Sequence, residues 1–138
     1  MPKKFKKCVL CNSCSGSSYQ VALLFNWEIV YSKDFPDLSS YSFVAVICAN
    51  TGDEELQPDM EKFLISLKIK KIKFAICELG NYFGFERDCF GCKKIVQKIL
   101  NNLEWIEIDN ISIDSLPLID LNIVNKWVKK IKDITKEI

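Results

Sequence analysis

A chain of 138 residues, 49% of them hydrophobic, fits one domain of ordinary size with a real core, and this composition excludes intrinsic disorder. With 19 basic and 18 acidic residues the net charge is +1, which gives no electrostatic footprint for nucleic acid, and the absence of histidine excludes imidazole acid–base catalysis and His metal sites. No apolar run nears the roughly 18 residues that suggest a membrane span.

The start, Met1 to Lys7, is basic, but only Phe5, Cys8, Val9, Leu10 and Cys11 are apolar before Asn12. That is too short for a signal-peptide core, so an intracellular, cytoplasmic, soluble protein is expected. Residues 5–11 read as a short buried strand, and Asn12 to Ser18 as a loop by composition. Val21, Ala22, Leu24 and Phe25 then recur at near-helical spacing. Glu28 to Tyr31 is a short strand, broken by Phe35-Pro36-Asp37. Phe43 to Cys48 is apolar throughout, as in a sheet covered on both faces. A loop with Gly52 and acids follows, and residues 57–68 read as a helix with Met60, Phe63, Leu64 and Leu67 on one face. Ile72 to Cys77 is the next strand, and a long loop is punctuated by Gly80, Gly84 and Gly91. Ile95, Val96, Ile99, Leu100 and Leu103 mark a helix, and Trp105 to Ile108 a short strand. Ile111, Ile113 and Leu116-Pro117-Leu118 read as a connection to a last helix with Leu121, Val124, Trp127, Val128 and Ile131. Five apolar strands alternating with amphipathic helices, one helix missing between strands two and three, predict an α/β sandwich with a parallel sheet over residues 1–138.

Charge is distributed unevenly. Asp53, Glu54, Glu55, Asp59 and Glu61 crowd a segment without a base, while Lys68, Lys70, Lys71 and Lys73 cluster elsewhere. Seven cysteines include Cys8-x-x-Cys11-x-x-Cys14 and Cys89-x-x-Cys92, spacings met in zinc and iron–sulfur sites. Cys8 and Cys11 fall in a strand, where residues three apart point to opposite faces. No metal site is therefore expected, and the plainer reading is small apolar residues in a reducing compartment.

Ligands of an open parallel sheet bind outside the carboxyl ends of its strands. The unusual loops follow strands one, three and four. In Ser13-Cys14-Ser15-Gly16-Ser17-Ser18 four hydroxyls precede a helix start, and Gly16 permits close backbone approach, a composition suited to an oxyanion. A serine-rich cap and turn is the plainer account. The G-x-x-x-x-G-K pattern of a Walker loop is absent.

Ser13-x-Ser15-Gly16-x-Ser18 resembles the flavodoxin phosphate loop, T/S-x-T/S-G-x-T/S. Phe43 to Phe63, Phe74 to Leu103, and Ile113-Asp114 through Trp127 resemble the family's later strands, flavin loops and last helix, so the resemblance covers about the whole chain. It implies a three-layer sandwich with five parallel strands in the order 2-1-3-4-5. It also implies one non-covalent FMN, its phosphate held by hydroxyls and backbone N–H groups of Ser13, Cys14, Ser15, Gly16, Ser17 and Ser18. In the second loop, Asn50, Thr51, Gly52, Asp53 and Glu54, the Gly52–Asp53 peptide resembles the segment beside flavin N5, and Glu54 the acceptor of N3–H. Many flavodoxins carry an aromatic residue or methionine where Thr51 stands, and threonine offers less stacking area. The third loop implies contacts from Leu79, Gly80, Asn81, Tyr82, Phe85 and Cys89. Counting from Gly91 aligns Phe85 with the stacking tyrosine, and counting from Gly80 favours Tyr82 or Phe83. Phe90, and with it Phe83, is expected in the core.

The resemblance implies a non-enzymatic, monomeric electron carrier with no catalytic residue. It would take electrons from a separate reductase and pass them to an acceptor protein through transient contacts. Three alternatives stand beside it: a quinone reductase, an accessory flavoprotein of ribonucleotide reductase, and a flavin-free interaction domain. A receiver domain shares the topology but needs an acidic pair after strand one and Asp at the end of strand three. Asn12-Ser13 and Ala49-Asn50 occupy those places and exclude it.

Overall fold

Strands with apolar side chains on both faces are stable only between two helical layers, and the chain builds that arrangement. The computed structural model describes residues 6–14, 16–51, 55–80, 91–114 and 119–136. Its strands are β1 (Lys7–Cys11), β2 (Glu28–Tyr31), β3 (Phe43–Thr51), β4 (Glu55–Leu56), β5 (Lys73–Gly80) and β6 (Ile106–Asp114). Its helices are α1 (Gly16–Leu24), α2 (Pro58–Ser66), α3 (Cys92–Asn102) and α4 (Leu121–Ile134). The sheet runs β2-β1-β3-β5-β6, every pair parallel. Set aside the two-residue β4, which lies antiparallel on the end of β3, and this is the expected order 2-1-3-4-5.

Strand alternation divides the core into two layers. Leu10, Val44, Val46, Phe74 and Ile76 meet Met60, Phe63 and Leu64 of α2 and Val96 and Leu100 of α3. Val9, Ala45, Ile47 and Cys77 meet Val21 and Ala22 of α1 and Val124, Trp127, Val128 and Ile131 of α4. Phe25 joins the second layer and stands edge-on to Trp127 with ring centroids 6.0 Å apart. Trp105 closes the first layer against Phe74, its indole Nε1 donating to the Ile69 carbonyl at 2.9 Å.

The helix missing between strands two and three is replaced by a 3-10 turn at Ser32–Asp34, which Phe35 ends with φ of 48°. Pro58 opens α2, where its missing N–H costs nothing, and Asp59 and Glu61 in the first turn complement the helix dipole. The expected helix 57–68 stops at Ser66 because Leu67 turns to extended backbone.

Three strands run further toward their carboxyl ends than their apolar patterns suggest. β3 continues past Cys48 to Thr51, and β5 past Cys77 to Gly80. β6 continues past Ile108 to Asp114, so Ile111 and Ile113 are strand and not connection. Backbone pairing continues there, with Ala49 beside Leu79, Glu78 beside Ser112, and Gly80 beside Asp114. β6 also slips register opposite Phe74 and Ala75, leaving Ile108 between the paired Glu107 and Asp109. That extra residue breaks the apolar alternation from which its length would be read.

Asp120 caps α4, its carboxylate accepting from the backbone N–H of Asn122 at 3.0 Å and of Ile123 at 3.3 Å. Asp120→Ala leaves both donors to water, and a loss of about 1 kcal/mol in urea unfolding is expected.

Candidate functional site

The parallel strands deliver the segments after β1, β3 and β5 to one edge of the sheet. Strand order reverses between β1 and β3, and it is outside this reversal that open α/β sheets hold ligands, as flavodoxins themselves illustrate.

The first segment is fixed from below. Asn12 accepts from Ser32 Oγ at its Oδ1 (2.8 Å) and from the Lys33 N–H at its carbonyl (3.4 Å), tying it to the turn after β2. Cys11 Sγ donates to the Ser13 carbonyl at 3.7 Å. Cys14 is exposed, Ser13 and Ser17 are half-buried, and Ser18, in the first turn of α1, is buried. Gly16 has φ of +79°, and a Cβ built there would meet no atom within 4 Å. Conformation, not space, selects glycine at this helix start. No acidic side chain sits in the first turn of α1 to compete for its N–H groups. Ser15 lies outside the described residues.

The second segment is flanked by a short antiparallel pairing. Asn50 pairs with Leu56 and Thr51 with Glu55, so Asn50 and Thr51 belong to strand β3. Asn50 is also a brace. Its Nδ2 donates to the Leu79 carbonyl (3.4 Å) and its Oδ1 accepts from the Cys92 N–H (3.2 Å), joining the ends of β3 and β5 to the start of α3. Gly52, Asp53 and Glu54 lie outside the described residues.

Of the third segment, Leu79 and Gly80 are the last residues of β5. The Leu79 side chain is fully buried in the layer under α1 and α4, so any ligand contact from it is through backbone. Asn81, Tyr82, Phe83, Phe85, Cys89 and Phe90 lie outside the described residues.

Beneath the edge is a polar cluster that the sequence reading did not anticipate. Glu78 is fully buried on β5. It accepts from the Lys93 N–H at 2.7 Å, Ser112 Oγ at 2.8 Å and Cys92 Sγ at 3.4 Å. Lys93 Nζ reaches over to Ser112 Oγ (2.8 Å) and Asn110 Oδ1 (3.0 Å). The carboxylate thus serves as a remote cap for α3, whose own cap position is Gly91 with no side chain to offer. A lone acid in the otherwise apolar run Phe74 to Leu79 was the available signal, since a buried charge must be paired.

The cysteines sort by layer. Cys8 faces the α2/α3 side and Cys11 the α1/α4 side, as strand alternation requires, so the two cannot hold one ion. Burial pushes the Cys11 thiol up to about 11, with a smaller contribution from Cys14. Burial raises Cys8 and Cys77 also. Among the described residues no three potential ligands gather as a metal ion needs, and no helix is long and apolar enough to cross a membrane.

No sequence family and no curated protein matches this chain. Solved structures do match it. The flavodoxin of Fusobacterium nucleatum, described as bound to flavin mononucleotide, superposes with a TM-score of 0.74 at 10% identity, over 94% of this chain and 98% of that one. A single-site mutant of the Pseudomonas aeruginosa flavodoxin gives 0.75 at 16% identity, over 96% and 99%. Oxidised flavodoxin 2 of Bacillus cereus gives 0.72 at 18% identity, over 94% and 99%. The chain has the flavodoxin-like fold.

Proposed function

We propose that this chain binds one FMN at the carboxyl edge of its sheet and carries electrons between other proteins. The observation that supports this most is the start of α1. A glycine in a left-handed conformation opens the helix, Ser17 and Ser18 follow it in the first turn, and no first-turn acid opposes an anion there. Such a start fits a phosphate without a cationic side chain. The likeness to a flavodoxin described as FMN-bound adds to it. Bound FMN would supply reversible one- and two-electron chemistry. The chain's own part is to orient the ring and exclude water from it. Ser13 to Ser18 would hold the phosphate, and the strand ends at Asn50, Leu79 and Gly80 would present backbone groups to the polar edge of the ring. Asn50 keeps two of the three segments in fixed relation through its bonds to Leu79 and Cys92.

The same reading makes the protein a monomeric, cytoplasmic carrier that transforms no substrate of its own. Its partners are a separate reductase and an acceptor protein, met transiently. Titration of FMN fluorescence with purified chain is expected to show quenching that saturates at one FMN per chain, with weaker binding of FAD. Unchanged fluorescence and absorbance would sink the proposal in favour of a flavin-free interaction domain. Steady turnover of a quinone by the loaded protein would favour the reductase alternative.

A further inference from the structure

We propose that Cys48 and Cys92 are a redox-active thiol pair that closes to a disulfide between β3 and the start of α3. The two sulfurs lie 3.4 Å apart, and both residues are fully buried. They have to approach by about 1.4 Å to reach disulfide bonding distance. Their positions are set by independent bonds. Cys48 stands beside Glu78 in the strand register. Cys92 is the first residue of α3, held by its own N–H on Asn50 Oδ1 at 3.2 Å and by the Lys93 N–H on Glu78 at 2.7 Å. The other described cysteines are differently placed. Cys77 faces the opposite core layer, Cys8 and Cys11 lie on opposite faces of β1, and Cys14 is exposed.

The chemistry closes with a peroxide as the oxidant. Glu78 Oε2 accepts from Cys92 Sγ at 3.4 Å and fixes the direction of that thiol. The hydrogen bond to Cys48, then burial, then the charge and hydrogen bond of Glu78 raise the Cys92 thiol, whose proton therefore passes to the departing peroxide oxygen as the sulfur attacks. The sulfur attacks one peroxide oxygen, the O–O bond breaks, and one water leaves, giving a sulfenic acid. Cys48 sulfur then attacks the Cys92 sulfur, the S–S bond forms, the S–O bond breaks, and a second water leaves. Two thiols lose two hydrogens and two electrons, and one peroxide becomes two waters. The inference stands whether or not the chain binds FMN.

The test uses full-length folded protein with Cys14→Ser and Cys89→Ser, which leaves five of the seven cysteines. After hydrogen peroxide, then denaturation and alkylation, mass spectrometry should find two of those five thiols blocked. A Cys48–Cys92 linked peptide should be present and should vanish with dithiothreitol. The oxidised protein should also melt several degrees higher, because the link constrains a long loop of the unfolded chain. In a Cys48→Ser variant the oxidation should stop at a sulfenic or sulfinic acid on Cys92. Five alkylatable thiols after peroxide treatment would overturn the proposal. So would a link through Cys77, a link formed only in denaturant, or a Cys89–Cys92 link in the unsubstituted chain.

Discussion

Replacing Ser15 and Ser17 together by alanine is expected to weaken FMN binding at least tenfold and to leave riboflavin binding nearly unchanged. A hydrogen bond to a charged group is worth about 1.5–3 kcal/mol, so even one productive hydroxyl of the two accounts for a tenfold loss. Ser17 stands half-buried in the first turn of α1, one residue past the glycine that opens it. At Ser17, inside the helix, alanine is the better helix former, so that substitution should not cost the fold. Riboflavin lacks the phosphate and is the internal control. Equal losses for the two ligands, measured by fluorescence titration, would mean that these serines do not hold the phosphate.

The second large effect is on stability. Glu78→Ala strands three donors at once: the Lys93 N–H, Ser112 Oγ and Cys92 Sγ. Each buried donor left without its partner costs about 1–3 kcal/mol, so a loss of about 3–5 kcal/mol is expected. Glu78→Gln keeps the shape but puts an amide N–H₂ where donors already converge, and about 1–3 kcal/mol is expected. Urea unfolding separates the cases, since a lower midpoint at constant slope is a change in stability alone. If both variants unfold within about 0.5 kcal/mol of the parent, the usual effect of a surface substitution, the cluster does not pin α3.

What the sequence disclosed, and what it hid, follows from how local each signal is. Phe43 to Cys48 and Phe74 to Cys77 are uninterrupted apolar runs, and both are central strands of the sheet. The parallel direction of the main strands followed from those runs and the amphipathic helices between them, whereas their order in the sheet was implied only by the resemblance to flavodoxins. The strand ends were missed because Asn50, Glu78 and Ser112 look like loop residues. Each is tolerated in the sheet through a partner far along the chain: Cys92 lies 42 residues from Asn50, and Ser112 lies 34 from Glu78. No periodicity reports such pairs. The thiol contact between Cys48 and Cys92 was hidden in the same way, because spacing drew attention to Cys89-x-x-Cys92 instead. At the ligand edge the serine-rich segment was legible because its composition and its place before a helix are both local. Of the second segment, the antiparallel pairing of Thr51 with Glu55 did not show in an acidic run.

The slip in β6 also bears on how the protein behaves in a crowded solution. A parallel sheet ends in two open edges, and each is a template on which another chain can add a strand. At one end β2 is only four residues long, too short to recruit a partner firmly. At the other, β6 runs for nine residues and would be the greater hazard. Its irregularity falls beside Ile108, and Glu107 and Asp109 flank it, Asp109 meeting Lys130 of α4 at 3.0 Å. An incoming strand would have to match that broken spacing and set its side chains against two carboxylates. Straightening β6 by deleting Ile108 would restore a regular ladder, and faster aggregation of that variant in a light-scattering time course is expected.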